Sequence, residues 1–344
     1  MHGLSAKIFG MTCEISCPVC LCADLLKDTE QVENFNLHRC KACGLEFCES
    51  MGYSKVYYEE LFYAQDYNLN SVSRLSREAF LRKGNKLSKD QQWQPYKSAL
   101  DWIERNFKNG STILDIGCGM GYFLAALEAR GFRGIGVEVS AKVVDLLKGK
   151  GFQVYLGQPE DVSAENLLVD LVVLFGVIEH VAEPVKLLAQ VRGKFPKAAL
   201  LVSIPSPRRW DFKIGIRNYW DYPPNHLTPV WLEESLRQAF LRSGYQLKDW
   251  FFPAPPGDEI WFVLWERLFF SIGLRRKGYF VSMLSEAVEK KSPARAIIKL
   301  FYREFKQLNL LMKYLARPAT DAIGSSFKKN GCSGLSAFAV AVPV

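Results

Sequence analysis

No stretch of about 18 consecutive uncharged apolar residues occurs in this chain of 344 residues, so a membrane-spanning helix is not expected. The opening segment, MHGLSAKIFG, lacks the apolar run of an export signal, and a cytoplasmic protein is expected. No G-x-x-x-x-G-K-[ST] segment is present, which excludes a P-loop nucleotide site. The dinucleotide fingerprint G-x-G-x-x-G is missing too: counted from Gly117, its third glycine would fall where Tyr122 stands. What remains is ordinary in composition, 49% apolar and 23% charged, which provides for a core and excludes wholesale disorder. At about 100–200 residues per domain, the length suits two domains or one elaborated domain.

Charge is unevenly placed. The formal net charge is +8, and residues 258–330 alone hold 14 Lys/Arg against 7 Asp/Glu. The question of a polyanionic partner therefore attaches to one late segment and not to the whole surface.

Cysteine is clustered. Seven of the nine lie within the first 48 residues, and an odd count in a chain without an export signal argues for metal ligation over disulfides. Cys17-Pro-Val-Cys20 and Cys40-Lys-Ala-Cys43 have the spacing C-x2-C-x19-C-x2-C of a zinc ribbon. Two intervening residues make a tight knuckle in which both thiolates face one ion, and four thiolates close a tetrahedral shell of the structural kind. Gly44 suits a left-handed backbone position after the second knuckle. Buried or redox-active thiols are the alternative, and Cys22 or Cys48 could replace a member of the set. His38, beside the second knuckle, reads as a surface or packing residue. The aromatics that follow (Tyr53, Tyr57, Tyr58, Phe62, Tyr63, Tyr67) suit an arm packing on the main domain, or a stacking platform.

From residue 95 the periodicity alternates between helix and strand. Helices are expected over 95–107, 121–130, 141–148 and 183–194, and strands over 112–116, 133–139, 152–156, 168–175 and 198–204. Near-continuous apolar strands alternating with helices imply a parallel sheet covered on both faces. Between the first strand and the next helix lies Asp115-Ile-Gly117-Cys-Gly119-Met-Gly121. Glycines there permit a sharp turn and close approach of backbone to a ligand. Glu138 closes the second strand, at a distance along the chain where an acid accepts hydrogen bonds from a ribose diol.

Four segments together, LDIGCGMG, GIGVEVS, DLVVLFGVIEHVAEP (170–184) and SIPSP (203–207), resemble the class I S-adenosylmethionine-dependent methyltransferases over residues 95–250. The resemblance implies an α/β, doubly wound, Rossmann-like fold: a seven-stranded, mostly parallel sheet whose last strand is antiparallel. Residues 336–342 are the candidate for that strand and 246–252 for its hairpin partner. It further implies that Asp115, Gly117, Gly119 and Gly121 contact the methionine part of S-adenosylmethionine and Glu138 the ribose. Glu160 and Asp161 would reach the adenine amine, and Phe175 and Gly176 would line the cofactor. Gly176 departs from the polar residue often found there, so any contact is through backbone.

The expected organisation is a zinc-ribbon-like segment (1–50), an aromatic or helical arm (51–94), a methyltransferase core (95–257), a basic helical insertion or cap (258–330) and a final core strand (331–344). Proton removal from the acceptor suits histidine, whose unperturbed pKa is about 6.5. His180, in Glu179-His180 after the fourth strand, and His226, in a Pro-rich segment with Asp221 and Tyr222 nearby, are the candidates for this general base. Within the insertion, the aromatic run 260–274 followed by Arg275-Arg-Lys277 reads as a cap shaping the pocket, or as peripheral contact with anionic lipid. The expected partner is a small-molecule acceptor: a sugar, a lipid-linked saccharide or a secondary metabolite. RNA is the alternative acceptor, with ribbon and basic insertion binding it; a non-catalytic cofactor-binding module is a third.

Overall fold

The computed structural model describes residues 15–26, 31–32, 35–48, 69–89, 94–163, 167–210, 226–254, 260, 314–333 and 335–344. The aromatic run 53–67, Asp221, Tyr222 and most of the insertion, including 261–277, lie outside the described residues.

Among the described residues, ten strands form two sheets. The smaller is antiparallel, with β1 (Gln31–Val32), β2 (Phe35–Arg39) and β3 (Glu46–Cys48) in that order. The larger contains β4 (Thr112–Ile116), β5 (Arg133–Glu138), β6 (Gln153–Leu156), β7 (Leu171–Phe175), β8 (Ala199–Pro205), β9 (Tyr245–Phe251) and β10 (Ser336–Pro343). Its order is β6-β5-β4-β7-β8-β10-β9. The five strands from β6 to β8 are parallel, and β10 runs antiparallel to both β8 and β9. This is the expected seven-stranded class I methyltransferase topology, with 336–342 in the reversed strand.

The helices explain why the strands read as apolar runs. α1 (Leu69–Ser73), α2 (Arg77–Lys89), α3 (Gln94–Asn106), α4 (Tyr122–Glu128), α5 (Ala141–Gly149), α6 (Pro184–Lys194) and α7 (Glu233–Arg242) precede a further helix over 314–329. Every residue of β4 is buried, and β7 is buried from Leu171 to Leu174. Val172 and Leu174 pack on one side of the sheet with Leu187, Leu188 and Val191 of α6, while Val173 packs on the other with Leu100 and Ile103 of α3 and Phe123 of α4. A sheet buried on both faces selects apolar side chains at successive positions, not at alternate ones.

The small sheet is docked on the core. Val19, Leu45 and Phe47 share one apolar cluster with Trp231, Leu236 and Phe240. Main-chain bonds add to this: Glu46 N–H donates to Val230 O (3.0 Å), Cys48 N–H donates to Leu227 O (2.9 Å), and the Arg242 guanidinium donates to Val19 O.

The sheet has no spare room at β5, next to the edge strand β6. A Cβ on Gly136 would stand 2.7 Å from Cys118 Sγ and 3.0 Å from Leu124 Cδ1, both on buried residues. Gly136→Ala is therefore expected to destabilise the fold by about 1–3 kcal/mol through overpacking. Urea denaturation checks it: the midpoint falls with an unchanged slope.

Candidate functional site

The turn between β4 and α4 is built from backbone. Gly117, Gly119 and Gly121 have φ of +72°, +49° and +72°, conformations that cost other residues more than glycine. Gly117 and Cys118 N–H groups both donate to Val137 O, at 2.8 and 3.1 Å, which ties the turn to the tip of β5. Glu138 holds it further: Oε2 accepts from Gly119 N–H (2.9 Å), and Oε1 accepts from Val139 N–H (2.8 Å) and Ser140 N–H (3.0 Å). A carboxylate offers about four acceptor positions, so one is left, on Oε2. The expected pair of ribose bonds therefore meets a carboxylate with room for one.

Asp115 lies beneath the turn at 3% exposure. Burial pushes its carboxyl well above the usual range, and the neighbouring Glu138 charge pushes the same way. A Cβ on Gly119, by contrast, would meet nothing within 4 Å. The turn thus presents bare backbone to open space at the C-terminal edge of the parallel strands, where open α/β sheets bind ligands.

The other expected contacts are placed differently from one another. Glu160 and Asp161 are exposed in a short 3-10 turn (Pro159–Asp161) after β6, and Asp161 Oδ2 accepts from Gln158 N–H at 2.7 Å. Phe175 turns into an aromatic cluster, with ring centroids 4.9 Å from Phe123 and 5.9 Å from Phe338. Strand alternation accounts for this, since Phe175 follows Val173 on the same side of β7. Gly176 sits at φ +65° beyond the strand, and a Cβ there would lie 3.9 Å from Glu179 Oε1.

His180 and His226 come together although 46 positions separate them in the chain. Their ring centroids are 4.8 Å apart in an edge-on arrangement. The loop carrying His226 is held by Glu179, whose carbonyl accepts from Leu227 N–H (2.7 Å) and Thr228 N–H (3.1 Å). The Glu179 side chain joins the pair, 3% exposed, with Oε2 lacking a hydrogen-bond partner, as does the buried Nδ1 of His226. Burial raises the Glu179 carboxyl to about 8. Burial also holds His226 well below the ordinary histidine value, with the charges of His180 and Arg209 acting in the same sense. Glu179 was not among the expected bases; its adjacency to His180 was the available signal.

Cys17, Cys20, Cys40 and Cys43 converge with all four Sγ atoms within 4.8 Å of one another. Cys17 and Cys43 are 3.6 Å apart and Cys20 and Cys40 3.4 Å apart. A tetrahedral shell with Zn–S of about 2.3 Å has edges of about 3.8 Å, so the donor set and its spacing fit such an ion. Cys22 and Cys48 stand outside the cluster: Cys22 Sγ accepts from Asp24 N–H, and Cys48 packs with Leu37 and Leu227. His38 rests its ring against Phe47, centroids 5.7 Å apart.

Residues 90–249 match a family model described as a methyltransferase domain. No curated protein sequence matches the chain. Among solved structures, it is similar to a SAM-dependent methyltransferase from Archaeoglobus fulgidus, with 18% identity, a TM-score of 0.42, and coverage of 73% of this chain and 94% of the other. It is similar also to magnesium protoporphyrin IX methyltransferase from Synechocystis PCC 6803 with bound SAH, with 15% identity, a TM-score of 0.43, and coverage of 58% and 93%. The [4+2]-cyclase SpnF is similar at 14% identity and a TM-score of 0.46, with coverage of 86% and 97%.

Protein prepared without chelator is expected to carry about one equivalent of zinc, and Cys43→Ser to lose it. Because β3 bonds directly to the 227–230 loop, amide exchange at Leu227 and Thr228 is expected to speed up in the variant. Elemental analysis and hydrogen-exchange mass spectrometry check the two halves.

Proposed function

With a methyltransferase domain over residues 90–249 as the premise, we propose that the protein moves a methyl group from S-adenosylmethionine to a small-molecule acceptor. The observation that carries this reading is the pinned glycine turn with Glu138 behind it. The turn offers N–H groups and open space, no phosphate clamp, and one remaining carboxylate position for a ribose hydroxyl. These residues fit an adenosine bearing an amino-acid tail. S-adenosylmethionine, once bound, supplies a methyl group already activated on a sulfonium.

The chain's own contribution is then placement. Gly117 to Gly121 and Asp115 hold the tail, and Glu138 holds the sugar. Glu160 and Asp161 are nearest in sequence to the expected adenine position. Phe175 supports the floor from below, while the Gly176 backbone borders the cavity. Across from them, Glu179, His180 and His226 form the polar surface an acceptor meets. In-line displacement needs the acceptor atom held behind the methyl carbon, opposite the sulfur, and such positioning contributes several kcal/mol to rate. With S-adenosylmethionine bound, the acceptor's lone pair would form the new bond to carbon, the carbon–sulfur pair would return to sulfur, and the acceptor's proton would pass to His226 or His180 of this surface.

Two observations favour a small acceptor over RNA. Glu179 is buried and His180 and His226 are half-buried, which suits an acceptor whose reacting group reaches in between side chains. The ribbon's apolar side chains are spent on docking to Trp231 and Phe240, which makes it a support for the 226–230 loop; we infer a structural zinc there. Among the described residues no helix is long and apolar enough to cross a membrane.

Incubation of a cell extract with methyl-labelled S-adenosylmethionine tests the reading. Label is expected in the small-molecule fraction, and label confined to RNA contradicts it. Glu138→Ala removes both the ribose acceptor and the tie to Gly119, and its affinity for S-adenosylhomocysteine is expected to fall by more than about tenfold, the loss of a charge-assisted hydrogen bond. Calorimetry checks that value.

A further inference from the structure

Glu179, His180 and His226 have one feature that acid–base placement alone does not explain. Each offers a donor atom, and the three donors lie within 4.8 Å of one another. Two of the atoms in this group, Glu179 Oε2 and His226 Nδ1, are buried without a hydrogen-bond partner among the described residues. Leaving a carboxylate oxygen buried and unpaired is costly, and folded proteins ordinarily satisfy such groups. A group that satisfies two orphaned acceptors at once is a cation.

We propose that Glu179, His180 and His226 bind a divalent transition-metal ion that holds an oxygen-bearing acceptor beside the methyl donor. One carboxylate and two imidazoles form a donor set that suits Zn2+, Fe2+ or Mn2+, and three protein ligands leave positions open. An ion with ligands at about 2.0–2.2 Å spaces neighbouring donors about 3 to 3.5 Å apart, and the three donors lie within 4.8 Å of one another, so small side-chain rotations close the set on it. The backbone already fixes two of the three ligands together: the Glu179 carbonyl accepts Leu227 and Thr228 N–H, which sets the next residue, His226, against His180. The site also adjoins the glycine turn. Val177 Cγ2 would be 2.7 Å from a Cβ on Gly117, and Glu179 Oε1 lies 3.9 Å from the place of one on Gly176.

The inference rests on the methyl-transfer reading for its substrate, though not for its ligands. It narrows the acceptor to hydroxyl compounds, best those with two neighbouring oxygens that fill adjacent open positions. It also changes the part played by the two histidines, from proton acceptor to ligand. The step balances without a redox partner: the acceptor's hydroxyl gives its proton to water, its oxygen forms the bond to the methyl carbon, and the carbon–sulfur electron pair goes to sulfur. The products are a methyl ether and S-adenosylhomocysteine.

Mn2+ is the probe, since thiolate sites disfavour it and the four-cysteine cluster will not compete. The zinc-loaded full chain is titrated with Mn2+, and free Mn2+ is read by its paramagnetic resonance signal. One bound equivalent is expected, weakened by more than about tenfold in His226→Ala and in Glu179→Gln, as loss of a ligand costs at least what loss of its outer support does. S-adenosylhomocysteine binding is measured on the same samples. Wild type that binds S-adenosylhomocysteine and no Mn2+ overturns the metal site and leaves methyl transfer standing. Mn2+ binding without S-adenosylhomocysteine binding keeps the metal site and removes the methyl-transfer reading. Mn2+ binding that neither substitution weakens overturns the assignment of ligands. Should Glu179→Gln fail to fold, His226→Ala decides alone, because the His226 side chain makes no hydrogen bond through Nδ1 that the fold relies on.

Discussion

The carboxylate of Glu138 is the tie on which the proposed site depends. It sits at the end of β5 and accepts three backbone N–H groups, one from the glycine turn and two from its own strand end. Charge-assisted bonds to backbone are the stronger kind, and in a buried setting their loss leaves donors unsatisfied. A turn with three left-handed glycines has little stiffness of its own, because glycine gives up more conformational freedom on folding than any other residue. Glu138 and Val137 O supply that stiffness from outside the turn. The acid read from sequence as a ligand contact is thus first a structural brace, with one acceptor position kept for something else.

A second line of support runs from the far end of the chain. The four cysteines organise the knuckles around residues 17–20 and 40–43; β3 follows from the second knuckle; β3 bonds the 227–230 loop; and that loop bonds the carbonyl of Glu179. The last two links are backbone hydrogen bonds of 2.7 to 3.1 Å. A ribbon in this position makes sense of an otherwise awkward fact. The loop bearing His226 belongs to no strand or helix of the large sheet, and without the ribbon its edge would have open main-chain groups.

Much of the architecture was legible because it follows from burial. Strands covered on both faces must be apolar throughout, so β4, β7 and β8 stand out in sequence, and the reversed pairing of 336–342 with 246–252 was readable from the resemblance. The four-cysteine convergence was readable from spacing alone, since a two-residue knuckle has few ways to close. Other features were not legible, for identifiable reasons. Glu138 bonds backbone amides, which carry no side-chain signature. The docking of the ribbon is long-range, joining Val19 to Phe240, and no local pattern announces it. The contacts of Phe175 with Phe123 and Phe338 were legible only in part: counting alternate positions from Val173 gives its side of β7, while its partners come from distant elements. Glu179 was not legible as a member of the site because its meeting with His226 depends on the loop 226–228, distant in the chain, bonding to its carbonyl.

The central claim is that the β4–α4 turn and Glu138 together hold an adenosine with an amino-acid tail. A crystal structure of the protein with S-adenosylhomocysteine tests it most directly. The account predicts density over Gly119, the tail near Asp115, and one ribose hydroxyl within hydrogen-bond distance of Glu138 Oε2, with the Gly119 N–H bond kept. Ligand bound elsewhere, or bound over the turn with Glu138 making no contact to the ribose, would contradict it.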